Sequence, residues 1–211
     1  MAIVNGYCSL SELKAALRVT DAIDDSLLEL AIESASREID GYTERVFYNV
    51  AGTRVYAPTN TFTLDTDDIV SITTLKTSSD GVTFNTTWTT SDYQLEPLNN
   101  FAGGIVTPYN RIRAVGGLLF PAFGIGSINY LAYGTGTINY GEASVQIVGT
   151  FGFASVPVAI RQATVILAMR VFKRLDSPMG VISNDMGSMR VGRVDPDVEA
   201  LVAPFRKVAA G

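Results

Sequence analysis

Glu29 and Glu33 stand one helical turn apart, a spacing at which two buried carboxylates can share acid–base work. Arg37 follows one turn later, so the trio reads better as a solvated helix face with i, i+4 charge pairing. Asp65-Thr66-Asp67-Asp68 looks like a fragment of a calcium loop, but the central glycine and the distal bidentate glutamate are not at the required spacing. The run is expected to be a polar turn before a strand. Gly124-Ile125-Gly126 and Gly134-Thr135-Gly136 begin like dinucleotide fingerprints, yet the third glycine is missing and no helical pattern follows, so β-turns are expected. Cys8 lies beside a helix start, where a thiolate gains stabilisation. The chain has no histidine, which removes Ser-His and Cys-His pairs and the commonest metal ligand. Cys8 is therefore expected to be a small buried hydrophobe. Met179, Met186 and Met189 could form an adaptable contact strip or simply fill a loop. Nothing here assembles a catalytic site; the expectation is no enzyme, no cofactor and no metal.

The elements that would position any such group are sparse in charge. Of 211 residues, 47% are apolar and only 18% charged, fewer charges than a lone soluble surface usually carries. That deficit points to surface covered by other subunits. Residues 1–155 carry 8 Lys+Arg against 16 Asp+Glu, and residues 156–211 carry 8 against 5. The two parts are expected to face different surroundings. The long acidic part offers no basic groove for nucleic acid. The single cysteine allows no disulfide within the chain. The first residues have neither a basic region nor a long apolar run, so no secretory signal is expected. The apolar stretch from Val158 to Phe172 is interrupted by Arg161, Gln162 and Arg170, and is too short and too charged to span a bilayer.

The order of patterns is helix, helix, β-rich middle, helix, connection, short helix: an α+β fold. Ser9-Leu10-Ser11-Glu12 is a capping box that opens a short helix. A second helix starts at Asp24 or Asp25 and turns Leu28, Ala31, Ile32, Ala35, Ile39 and Tyr42 to one side. From Asn49 the spacing shortens, and Thr53–Tyr56, Thr61–Leu64, Asp68–Lys76, Val82–Thr89, Asp92–Leu95, Tyr109–Val115 and Ser144–Val148 read as strands. Ser79-Asp80-Gly81 is a hairpin turn signal. Residues 116–142 contain a near-repeat, Gly124–Tyr130 against Gly134–Tyr140, which predicts a projecting, almost uncharged hairpin. Ile125, Ile128, Tyr130, Tyr133, Ile138 and Tyr140 are its expected contacts with a neighbouring subunit or a downstream protein. Pro157 suits the first turn of a long helix that is apolar almost all round. The expected organisation is N-terminal helices over 1–48, a β-rich insertion over 49–155, a long core helix over 156–176, and a mobile tail with a short helix over 177–211.

In that tail, Asp195-Pro196 opens the short helix, and Pro204 is expected to end or kink it. Val198, Leu201 and Val202 form an apolar face, with Phe205 just beyond. So short a helix is not stable alone. Arg190, Arg193 and Arg206 add positive charge. The face and these cations are expected to dock on an acidic partner.

Several stretches resemble the gp6-like head-to-tail connector adaptors of siphophages. Tyr7-Cys8-Ser9-Leu10-Ser11-Glu12-Leu13-Lys14 opens the likeness, followed by Asp24–Leu28 and Ile39–Thr43. Trp88–Asn99 with Pro108–Ile112 continues it. Val145–Phe153, Val156-Pro157, Ile160–Ala163 and Phe172–Gly180, then Asp195–Leu201 and Pro204–Arg206, complete it. Residues 116–142 depart from the family, which usually makes that connection with a shorter loop. The resemblance implies a virion protein that forms a homo-oligomeric ring beneath the portal, about twelvefold and built on heterologous contacts. It implies assembly in the bacterial host cytoplasm, head completion, and a platform for the next connector, stopper or tail protein. DNA passes through the channel without specific binding, no membrane is involved, and the portal is the partner implied for Arg190 to Arg206. The Thr- and Tyr-rich middle also fits a different class, a β-rich tail or baseplate module that binds carbohydrate.

Overall fold

The computed structural model describes residues 3–79, 81–102, 105–122, 144–174, 181–184, 187–190 and 196–207. The chain is α+β, and its internal contacts divide it into two units: Met1–Tyr48 with Ser155–Gly211, and Asn49–Ala154.

The first unit is helical. Helix α1 (Leu10–Leu17) starts at the expected capping box: the Ser9 hydroxyl accepts from the Glu12 N–H at 3.2 Å, and the Glu12 carboxylate accepts from the Ser9 N–H at 2.7 Å. Arg18 ends α1 in the left-handed conformation at φ 59°. Helix α2 (Asp25–Thr43) has Asp24 at its N-cap, but that side chain makes no capping bond. Asp25 in its first turn takes the Lys14 ammonium at 2.6 Å instead, which ties the two helices together. Leu28, Ala31, Ile32, Ala35 and Ile39 are buried at helical spacing. Helix α3 (Val158–Lys173) follows Pro157 and buries Ile160, Ala163, Leu167 and Ala168. Helix α1, helix α2 and the short helix α4 (Pro196–Val202) all pack against α3. The buried Ser and Thr hydroxyls of the helices return to their own helices: Ser36, Thr43 and Thr164 donate to the carbonyls of Ile32, Ile39 and Ile160. Each of these three helix hydroxyls thus has an acceptor one turn back in its own helix.

The connection after α3 was expected to be aperiodic. It contains strands Val181–Asn184 and Gly187–Arg190, paired antiparallel as a hairpin.

The second unit is one antiparallel sheet with a small satellite pair. Its strands are β1 (Asn49–Tyr56), β2 (Thr63–Thr77), β3 (Thr86–Trp88), β4 (Tyr93–Glu96), β5 (Phe101–Ala102), β6 (Ile105–Val106), β7 (Tyr109–Ala114) and β8 (Val145–Gly152). The order is β1-β8-β2-β7-β4, with β3 also on β2 and β5 pairing β6 by themselves. Numbering the hairpin after α3 last, its strands are β9 and β10.

Strand β2 organises this unit. Its first half pairs with β7, its second half with β3, and β8 runs along its other edge from Ile69 to Thr77. Breaks in register near Asp65–Ile69 and Ile69–Thr74 bend it. Two separate strands were expected where this single one runs. Asp65-Thr66-Asp67-Asp68, expected as a turn, lies inside it. Strand pairing and alternation carry the run: Asp65 pairs with Arg111 of β7, Leu64, Thr66 and Asp68 turn inward, and Asp65 and Asp67 turn outward, where Arg111 and Arg54 take them at 2.7 Å each. The expected strand over Val82–Thr89 shrinks to Thr86–Trp88, and a connection from Ser78 to Asn85 replaces a tight turn.

The core of the sheet unit is Leu64, Ile69, Leu75, Trp88, Ile112, Phe120, Val145, Ile147 and Phe151. Trp88 stacks on Phe120 with ring centroids 4.6 Å apart and donates its indole N–H to Thr77 at 3.1 Å. The buried indole therefore keeps both its apolar contact and a polar partner.

Candidate functional site

Among the described residues, no group of three or more His, Cys, Asp or Glu could hold a metal, and no helix is long and apolar enough to cross a membrane. The arrangement offers anchoring and contact surfaces, and these begin at Tyr7.

Tyr7 is 2% exposed and joins three parts of the helical unit. Its backbone N–H donates to Ser36 at 3.1 Å, its hydroxyl donates to Asp40, and that hydroxyl accepts from the Phe47 N–H at 2.9 Å. Burial, then the Asp40 carboxylate, pushes the Tyr7 phenol far above its usual value. Burial also raises the Asp40 carboxyl, against the opposing pull of Tyr7 and Arg37. Arg37 pairs with Asp40 at 3.0 Å, donates to the Asn5 carbonyl at 3.1 Å, and lies 5.6 Å from the Tyr7 ring centroid and 5.3 Å from that of Tyr48. Glu33 accepts from the Val4 N–H. The Glu33–Arg37 face, expected to be merely solvated, thus fastens the N-terminal segment along α2.

Cys8 is 6% exposed, as expected of a small buried hydrophobe. Burial, with Glu12 nearby, pushes its thiol up to about 12. A neutral, enclosed thiol is a poor nucleophile. Treating the native protein with a disulfide thiol reagent near pH 8 is expected to release almost no chromophore, with full reaction only after denaturation. Rapid labelling of the native protein would contradict this placement.

The expected portal-docking residues are distributed unequally. Val198 and Val202 are 5% and 3% exposed, so the apolar face of α4 is covered within the helical unit. The face expected to dock on an acidic partner thus packs within the helical unit in the chain by itself. Leu201 and Phe205 are half-buried, and Phe205 meets Phe47 edge-on with centroids 5.6 Å apart. Pro204 sits in a 3-10 turn (Ala203–Phe205) that carries the chain from α4 to this contact. Tyr42 donates to Glu199 at 3.2 Å, Arg206 lies over the Tyr42 ring, and the Lys207 N–H donates to the Thr43 carbonyl at 2.9 Å. These bonds clamp the segment to the end of α2. Arg206 remains exposed. Arg190 closes β10, where only backbone is described, and Arg193 lies outside the described residues. So do Ile125, Ile128, Tyr130, Tyr133, Ile138 and Tyr140.

On the sheet unit, Arg113 takes Glu96 at 2.5 Å, alongside the Arg111–Asp65 and Arg54–Asp67 pairs. Tyr56 donates to Asp67 at 3.2 Å, and burial, with Asp67 beside it, pushes this phenol up to about 12. Exposed ion pairs of this kind stabilise little and serve mainly to keep this face polar.

The surface that sequence reasoning missed is apolar and exposed. Leu27 is 41% and Leu30 56% exposed, on the side of α2 away from Leu28, Ile32 and Ile39, and Ile23, just before the helix, is 85% exposed. Val158, at the start of α3, is 73% exposed. The signal was present: Leu27 and Leu30 fall outside the i, i+4 register of the buried stripe.

With this geometry in view, three solved structures can be compared. A chain of the neck of an empty GTA particle, computed with C6 symmetry, matches at TM-score 0.56 and 19% identity, covering 100% of this chain and 94% of that one. A chain of the neck of a native GTA particle, computed with C12 symmetry, matches at 0.56 and 18%, with the same coverage. A chain from the virion of the native gene transfer agent matches at 0.51 and 19%, again with the same coverage. At this identity these likenesses establish the fold. No curated protein matches the chain. The family match lies in the segment that holds α1, α2, the Tyr7 network and the first two strands: residues 7–86 match the Phage gp6-like head-tail connector protein family.

Proposed function

We propose that this chain is a structural adaptor of the head-to-tail connector of a tailed-phage-like particle. The observation that carries the reading is the family match over residues 7–86. The likeness of the whole chain to chains in particle necks computed with C6 and C12 symmetry supports it. In this reading the chain forms a closed ring under the portal, extends the DNA channel and presents a platform for the next connector or tail protein. It acts by binding and performs no catalysis. The acidic bias of residues 1–155 suits a channel through which DNA slides without being held. Portal contact falls to the surface that the C-terminal segment leaves available, Arg206 with the accessible sides of Leu201 and Phe205, and to Arg190 and Arg193 before it. Cryo-electron microscopy of the particle neck tests the reading. A closed ring of this chain between portal and tail is expected; a neck without such a ring would overturn it.

A further inference from the structure

We propose that strand β9 of one copy adds to the outer edge of strand β1 of the next, so that neighbouring copies share one continuous sheet. The proposal rests on the ring reading and names a backbone contact that would build the ring.

Strand β1 is an edge without the usual protection. It lies at one end of the order β1-β8-β2-β7-β4, and among the described strands none pairs with its outer side. Its register with β8 runs unbroken from Asn49 to Tyr56, so no bulge twists it away. It holds no proline and no lysine, the residues that commonly blunt an edge. Its one charge, Arg54, is taken by Asp67 at 2.7 Å and lies over the Phe151 ring. Asn49 to Thr53 and Val55 are exposed, and a Cβ at Gly52 meets nothing within 4 Å, so room remains beside the strand. Other margins of the same sheet are blunted: β4 has four residues and runs into Pro97, and β3 has three. Against these, β1 leaves eight residues of edge open to pairing.

Strands β9 and β10 are a sheet short of strands. They pair with each other over Val181–Asn184 and Gly187–Arg190, and no third strand joins them among the described residues. A lone two-stranded hairpin is marginally stable in water at best, and a third strand stabilises it. Strand β9, Val181-Ile182-Ser183-Asn184, is uncharged and begins with two β-branched residues, which suits the margin of β1. Strand β10 ends in Arg190, so with β9 against β1 that cation stays on the outermost strand and remains available for the portal.

The chemistry of the edge selects the occupant. A row of alternating N–H and C=O groups is matched along its length by another extended backbone, and by neither a helix face nor nucleic acid. Each copy brings one open edge and one incomplete hairpin, and within the chain these belong to separate sheets. Copies can therefore satisfy one another one to one. Pairing β1 with β9 joins two different surfaces, a head-to-tail contact that propagates and closes into a ring when the rotation permits. Pairing β1 with a second β1 would stop at two copies and leave every hairpin short of a strand.

Cross-linking tests this directly, because buried Cys8 leaves a silent background. Ala51→Cys and Ser183→Cys are combined in one chain and treated with a flexible bismaleimide, both as purified protein at high concentration and in assembled particles. The double variant is expected to give a ladder running past the dimer in particles, and each single variant is expected to stay monomeric. Gly52→Pro and Thr53→Pro are then added, one at a time, to the double variant. Successive N–H groups of a strand face opposite sides, so one proline removes a bond to β8 and lowers the melting temperature, and the other removes only the outward donor. The second kind is expected to keep the melting temperature and lose the ladder. A ladder that survives both prolines would overturn the backbone pairing. Ala51→Cys alone cross-linking to dimers would show β1 on β1, and Ser183→Cys alone cross-linking to the portal would make the portal the hairpin's partner; either overturns the proposal. So does a double variant that cross-links only within its own chain. A closed ring in the neck with no ladder would overturn this contact and leave the ring reading standing. A ladder from a protein that forms no ring in particles would keep the contact and remove the connector reading. No ladder and no ring would remove both.

Discussion

Replacing Phe47 by alanine is expected to cost the helical unit about 3–5 kcal/mol, the range for removing a fully buried phenylalanine. Phe47 is 0% exposed and meets Tyr7 and Phe205 edge-on, at centroid separations of 5.5 and 5.6 Å. It therefore stands between the N-terminal network and the C-terminal segment. Losing the ring opens a cavity beside Tyr7 and removes the surface on which Phe205 rests. Two readouts are expected to change together. The melting temperature falls, and residues 196–207 become sensitive to limited proteolysis and exchange their amides faster. Phe205→Ala separates the two effects: its side chain is only half-buried, so it is expected to release the same segment at a smaller cost in melting temperature. If Phe47→Ala melts like the parent and leaves 196–207 protected, the docking of the C-terminal segment does not depend on this aromatic column.

The second large effect is expected at Gly149. This residue lies in β8, which pairs with β1 on one side and β2 on the other. A Cβ at this position would collide with the Ser71 carbonyl oxygen and press within 3.2 Å of the Ile72 Cα. Both obstacles are backbone of the neighbouring strand, at its break in register, so no side chain can swing aside. Gly149→Ala is expected to cost about 1–3 kcal/mol, the usual range for overpacking, and Gly149→Val more. Gly52 on β1 is the control, since a Cβ there meets nothing within 4 Å. Gly52→Ala is expected to be neutral or slightly stabilising, because it reduces the freedom of the unfolded chain. Thermal denaturation followed by circular dichroism compares the pair. Equal melting temperatures for Gly149→Ala and Gly52→Ala would refute the close approach of β8 and β2.

Local signals were legible wherever a local bond decides the structure. Ser9 and Glu12 cap α1 because the two residues are within reach of each other once a single turn forms. Pro157 precedes α3, and Ala203–Phe205 leaves the α-helix at Pro204, because proline lacks the N–H that a helix interior needs. The buried stripe of α2 follows from a 3.6-residue period. The burial of Cys8 was likewise readable from its residue type, and the resemblance to the connector family from the order of the motifs.

Tertiary contacts decided the rest. The acidic run Asp65–Asp68 reads as a turn by composition, yet β7 pairs with its first residue and Thr66 and Asp68 turn into the unit, so it stays within β2. The apolar face of α4 reads as free, because no local pattern shows what covers it. Phe47, far away in sequence, supplies the ring on which Phe205 rests, and the end of α2 supplies Tyr42 and Thr43. Leu27 and Leu30 fall off the buried stripe by periodicity alone, but only the fold shows that no other described element of the helical unit covers them. Periodicity shows that a helix has an apolar side, whereas the neighbour that covers it depends on chain segments brought together by folding, here Tyr7, Phe47 and Phe205.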